Sequence, residues 1–98
     1  MDNPQSDVMV RHNPMAGRFE ARVDGELCVA DYVRRDHAIV MTHTFVPPAL
    51  RSRGIAEKMV RSALEYAQSE SLQVVPACSY VAAYIRRHPE FQALVAGD

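Results

Sequence analysis

The sequence has no tryptophan, only two cysteines, and no apolar run long enough to cross a membrane as a helix. Each absence excludes something. Without a spanning run or a basic-then-apolar leader, the expected location is the cytoplasm, with reduced thiols. Cys28 and Cys78 lack the spacing of a metal site, so no metal is expected. There is no internal repeat and no low-complexity segment. An excess of charge is also missing. The formal net charge of −1 argues against general nucleic-acid binding.

What remains is an ordinary soluble composition, with 48% hydrophobic and 23% charged residues, so a packed core is expected rather than disorder. A chain of 98 residues fits one domain, residues 1–98, with polar Met1–Asp7 as an N-terminal tail.

Alternation predicts a strand at Val8–His12, a turn at Asn13–Gly17 and a strand at Arg18–Val23 with Phe19, Ala21 and Val23 inward. Asp24-Gly25 tolerates positive φ and marks a hairpin. Glu26–Arg34 is its partner, with Leu27, Val29 and Val33 expected to face the core. His37–Val46 closes the meander. Its apolar residues fall on both faces, which predicts a central strand buried on both sides, with His43 sharing the face of Ile39, Met41 and Phe45. Pro47 and Pro48 end it. Ala56–Gln68 is then an amphipathic helix, its stripe running through Ile55, Met59, Ala63 and Ala67. Gln73–Pro76 is a short strand, parallel to His37–Val46 through a right-handed crossover. Two short helices, Ser79–Arg87 and Pro89–Val95, complete the chain. The fold class is α+β (mixed α/β): a four-stranded antiparallel meander, a helix, a parallel strand and two short C-terminal helices.

The chain is organised around Val46–Ala56. A strand, two prolines, Arg51, Arg53 and Gly54 lead straight into a helix. Such a junction offers unpaired backbone N–H groups to an anion. From Arg51 to Arg61, four basic residues stand against Glu57 alone, which suits a small anionic ligand or a solvated helix face. The functional crevice is expected beyond the carboxyl ends of the two parallel strands, where Val46–Ala56 and Ala77–Tyr80 both lie.

Arg51-Ser52-Arg53-Gly54-Ile55-Ala56 resembles the Arg/Gln-x-x-Gly-x-Gly/Ala signature of the GNAT acetyltransferase superfamily. From Phe19 to Val95 the chain is similar to the minimal YjdJ-type branch of that superfamily. The likeness is carried by Met41-Thr42-His43-Thr44-Phe45-Val46-Pro47, by Pro76-x-Cys78-Ser79-Tyr80-Val81 and by Tyr84-Ile85-Arg86-Arg87-His88-Pro89-Glu90-Phe91. The chain departs from ordinary members in length, lacking N-terminal helices and final strands.

The resemblance implies acetyl-coenzyme A as co-substrate. Its pyrophosphate would rest on Arg51, Ser52, Arg53, Gly54, Ile55 and Ala56. Its pantetheine amides would pair with Thr44, Phe45 and Val46. Arg51 and Arg53 flank the phosphates or are simply solvated. Cys78, at a helix start, reads either as a nucleophile that takes the acetyl group or as a small buried hydrophobe. His43 reads as a general base for an amine or as a core histidine. Tyr80 and Tyr84 are expected at the coenzyme, where either could protonate the leaving thiolate; packing is the plainer reading for Tyr84. Arg86, Arg87 and His88 would touch coenzyme phosphates or favour a helix C-terminus.

The expected function is therefore an acetyl-coenzyme A-binding N-acetyltransferase acting on an unidentified amine, directly or through Cys78. The alternative is a coenzyme-binding or protein-interaction module without turnover. A third reading, nucleic-acid binding through the Arg51–Arg61 patch, conflicts with the net charge. Oligomeric state stays open, although the short edge Val8–His12 could pair with another chain.

Overall fold

A computed structural model describes residues 8–95. The expected N-terminal tail lies outside them. Five strands form one sheet in the order β1-β2-β3-β4-β5. They are β1 Arg11–Asn13, β2 Arg18–Val23, β3 Glu26–Arg34, β4 Ala38–Phe45 and β5 Gln73–Pro76. The first four are antiparallel, and β5 runs parallel to β4. Helix α1 is Ile55–Ser69 and α2 is Ser79–Arg87. Both the architecture and the parallel step agree with the expectation.

The β2–β3 hairpin turns on Asp24 and Gly25, both at positive φ (51° and 77°), as a two-residue hairpin loop requires. This turn pairs Val23 with Glu26, and so Ala21 with Cys28 and Phe19 with Ala30. Opposed residues share a face. The core face of β3 is therefore Cys28, Ala30 and Tyr32, all buried. That corrects the expectation for Leu27, Val29 and Val33. Leu27 and Val29 are half-buried on the other face, and Val33 is exposed.

Helix α1 buries Ile55, Met59, Val60, Ala63, Leu64 and Ala67 against the sheet, which is the expected stripe. Arg61 then ties α1 to the C-terminal elements. It donates to the Tyr84 hydroxyl at 3.1 Å, pairs with Glu65 and Glu90, and lies 5.2 Å from the centre of the Phe91 ring. The last helical segment, Pro89–Leu94, is 3-10 rather than α, and Val95 bridges in parallel to Val74 of β5.

The first strand is shorter than expected. Ladder pairing begins at Arg11, although Val8 and Val10 already pack on the core. His12 packs beside them in an aromatic cluster. Its ring stacks on Phe19 at 4.1 Å, meets Tyr66 edge-on at 4.5 Å, and is hydrogen-bonded to the Tyr32 hydroxyl at 2.6 Å.

Strand β4 departs most from the simple alternation. It pairs Tyr32 with Met41 but Asp31 with His43, so Thr42 is an extra residue without a partner. Such a bulge reverses the side-chain phase beyond it. Ile39 and Met41 are buried, yet His43 and Phe45 emerge on the opposite face, exposed, with rings 6.5 Å apart. Thr44, opposite buried Ala30, turns toward the helices. His43 is thus neither a core residue nor on the face of Met41. The strand is central, but its second face is only partly covered: Val40 is half-buried and Phe45 is 41% exposed.

Candidate functional site

Strands β4 and β5 part after Met41, which is the last residue of β4 paired with β5. The Cys78 N–H caps the pair by donating to the Met41 carbonyl at 2.8 Å. Beyond it, β4 continues to Phe45 with β3 on one edge and, among the described residues, no strand on the other. Backbone groups on that free edge can hydrogen-bond a ligand that lies along the strand.

The chain then makes a 3-10 turn at Pro48–Leu50, with Leu50 buried as an anchor. Arg51 is extended, Ser52 takes φ 68° and Gly54 takes φ 78°. Gly54 caps α1 without a side-chain hydrogen bond. The first helical bond is Lys58 N–H to the Gly54 carbonyl at 3.2 Å, so the N–H groups of Ile55, Ala56 and Glu57 have no intrahelical acceptor. These amides and the positive end of the helix dipole are the groups a cradle for an anion requires; the dipole part is worth about 0.3–2 kcal/mol.

Free edge and cradle open into one cavity of about 560 Å³, well within the size of small-molecule sites. Its lining comprises Thr44, Phe45, Val46, residues 50–52 and 54–57, and Tyr80. The structure thus brings together most of the residues expected to hold a coenzyme. Leu50 and Glu57 belong to the lining as well, and the sequence reading did not single them out as site residues. Glu57 follows the Gly-x-Ala motif directly at the third helical position, a signal that could have placed it there.

Both arginines of the loop have other partners. The Arg51 Nε–H donates to the Val46 carbonyl at 2.8 Å, clamping the loop to the strand end. Arg53 pairs with Asp24 of the β2–β3 turn at 3.1 Å, bracing the loop from outside. Tyr84 is buried, its hydroxyl bonded to Arg61 and its ring stacked on His88 at 3.9 Å. His88 in turn is hydrogen-bonded through Nδ1 to the Tyr84 carbonyl at 2.8 Å. Arg53, Cys78, Tyr84, Arg87 and His88 lie outside the lining, and so does His43.

Cys78 stands at the start of α2, beside the lining residue Thr44. Its sulfur is 3.6 Å from the Thr44 hydroxyl. Burial pushes the Cys78 thiol up. The Val81 N–H, the Thr44 hydroxyl and the N–H groups of Tyr80 and Thr44 outweigh that, leaving it below the usual thiol value. The Cys78 side chain makes no capping hydrogen bond with these amides, so they act chiefly on its negative charge. Burial also pushes the Tyr80 phenol up; the Glu57 charge adds to this and the Arg87 charge opposes it. Tyr80 therefore keeps its proton at neutral pH.

The family model for the GCN5-related N-acetyltransferases matches residues 18–94. The chain belongs to this family. Among its relatives are the proteins named NATD1. That of Xenopus tropicalis is 29% identical over 91 residues, covering 89% of this chain and 83% of its own. That of Homo sapiens is 29% identical over 86 residues, covering 84% and 75%. The solution structure of a GCN5-like protein from Staphylococcus aureus shares the fold, with a TM-score of 0.72 at 21% identity, over 100% of this chain and 93% of that one. Members of the family use acetyl-coenzyme A as co-substrate. The uncapped amides of α1, the glycine before them and the free edge of β4 fit its phosphates and its amide-bearing arm.

Proposed function

We propose that this protein binds acetyl-coenzyme A and transfers the acetyl group to an amine, with Cys78 as the first acceptor. One observation carries the reading: the uncapped start of α1, the free edge of β4 and the Thr44 and Tyr80 side chains share one cavity, with the Cys78 sulfur against Thr44. Backbone amides of residues 55–57 hold the pyrophosphate. Thr44, Phe45 and Val46 pair with the pantetheine amides. Arg87, close enough to Tyr80 to act on its charge, supplies a cation toward that end of the cavity.

In the first step the Cys78 thiolate attacks the thioester carbonyl carbon. The bond to the coenzyme sulfur breaks, and Tyr80 donates its proton to the leaving thiolate. An amine then attacks the acetylated cysteine and expels the Cys78 thiolate, and the proton it loses restores the Tyr80 phenol. His43, on the opposite face of β4 and outside the lining, takes no part in these steps. Orientation of the reacting groups supplies much of the rate gain.

Calorimetric titration with acetyl-coenzyme A tests the binding. Saturable binding is expected, and none at millimolar ligand would sink the reading. Intact-mass measurement tests the covalent step, which predicts one added acetyl group that disappears in Cys78→Ala. A second reading, a coenzyme-binding module without turnover, draws support from the absence of any imidazole in the lining. Binding without transfer across a broad panel of amines would favour it.

A further inference from the structure

Beyond Cys78 itself, we infer that the Thr44 hydroxyl positions the Cys78 sulfur, donating to it and aiming it at the cavity. This deepens the proposed acetyl transfer and rests on that reading for its use, but not for its test. Three observations place the two groups together. The unpaired residue Thr42 reverses the phase of β4, so Thr44 rather than His43 faces the helices. The Cys78 N–H to Met41 carbonyl bond, at 2.8 Å, fixes the cysteine backbone against the same strand, three residues from Thr44. The Thr44 Oγ1 then stands 3.6 Å from Sγ while also lining the cavity.

A hydroxyl suits this place better than an imidazole. The sulfur already lies at the start of α2, whose first amides have no helical acceptor. Thr44, on β4, adds its own N–H and its O–H. On ionisation the thiol proton goes to solvent, and the Thr44 hydroxyl hydrogen turns onto the sulfur. No general base has to carry that proton, in keeping with an exposed His43 on the far face. Positioning and charge stabilisation thus come from one β-branched residue, set by one residue of register.

The test is the pH dependence of Cys78 alkylation by iodoacetamide in the ligand-free protein, followed by peptide mass. Cys28 is fully buried and serves as the internal unreactive thiol. Thr44→Val keeps the shape and removes the hydroxyl. Its alkylation midpoint should rise by about half to one pH unit, slowing alkylation at neutral pH by about three- to tenfold. Thr44→Ser should stay within about twofold of the parent, since the donor is retained. A Thr44→Val profile that superimposes on the parent overturns the inference. So does a Thr44→Ser profile displaced as far as that of Thr44→Val, which would assign the effect to the methyl. Alkylation needs no coenzyme. Failure of acetyl-coenzyme A to bind would therefore sink the proposed function and leave this relationship standing.

Discussion

Arg51 reaches back to the strand it follows: its Nε–H donates to the Val46 carbonyl at 2.8 Å. The bond closes the loop between β4 and α1 and holds the anion cradle in line with the free strand edge. Arg51→Met should lower stability by about 1 kcal/mol, the usual worth of such a bond, and weaken coenzyme binding in parallel. Arg51→Lys should not restore either, because an ammonium cannot copy the planar Nε geometry. Urea unfolding and calorimetry on the same variants check this. A variant that loses affinity while keeping full stability would instead assign the guanidinium to the phosphates.

Gly54 holds φ 78° at the start of α1. A side chain there costs about 1–2 kcal/mol in backbone strain alone. Gly54→Ala should thus lower the melting temperature by several degrees, about 4–8 °C per kcal/mol for a domain of this size. Affinity for acetyl-coenzyme A should fall further than stability does, since the new methyl also crowds the cradle. Gly54→Asn, better suited to positive φ, should melt above Gly54→Ala. Thermal melts with and without ligand separate the two effects.

Burial in its aromatic cluster holds His12 below the usual histidine value. The folded state therefore favours the neutral ring more than the unfolded chain does. Its contribution is complete above the ordinary value, about 6.5, and is lost as pH falls through the lower folded value. Urea midpoints should accordingly decline on acidification below pH ~6.5. His12→Phe should flatten that decline while keeping the stack on Phe19. An unchanged slope in His12→Phe would locate the acid sensitivity elsewhere.

Tyr80 keeps its proton through neutral pH under burial and the Glu57 charge. As the proposed donor to the departing coenzyme thiolate it should matter for rate rather than for binding. Tyr80→Phe should slow acetylation of Cys78 by about a hundredfold with coenzyme affinity within about twofold. Rapid-quench mass measurement gives the rate and calorimetry the affinity. Equal losses in both would make Tyr80 a binding residue only.

Much of this architecture is legible in the residues. The prolines, the hairpin dipeptide and the stripe of α1 each follow from local physics, and the parallel placement of β5 follows from the helix before it. The inward face of β3 was also within reach. Asp24-Gly25 as a two-residue turn forces Ala21 opposite Cys28, and counting from the turn selects Cys28, Ala30 and Tyr32. Choosing by size of side chain selects Leu27, Val29 and Val33 instead, and these cover the outer face. The bulge is different. Nothing in Met41-Thr42-His43 announces a residue without a partner, because the bulge is settled by pairing with β3 across the sheet. The second partners of Arg51, Arg53 and Tyr84 are equally non-local: a strand end, a hairpin tip and another helix take them.

The unpaired Thr42 makes the strand tolerant of a change in length. With Thr42 gone, the pairs Tyr32–Met41, Asp31–His43 and Ala30–Thr44 would follow one another without a break, and the imidazole would stay outside and the hydroxyl inside. A regular pairing that kept Thr42 would instead exchange the two faces. A relative that matches His43 to histidine therefore carries the ring on the same side only where the two strands pair in the same way.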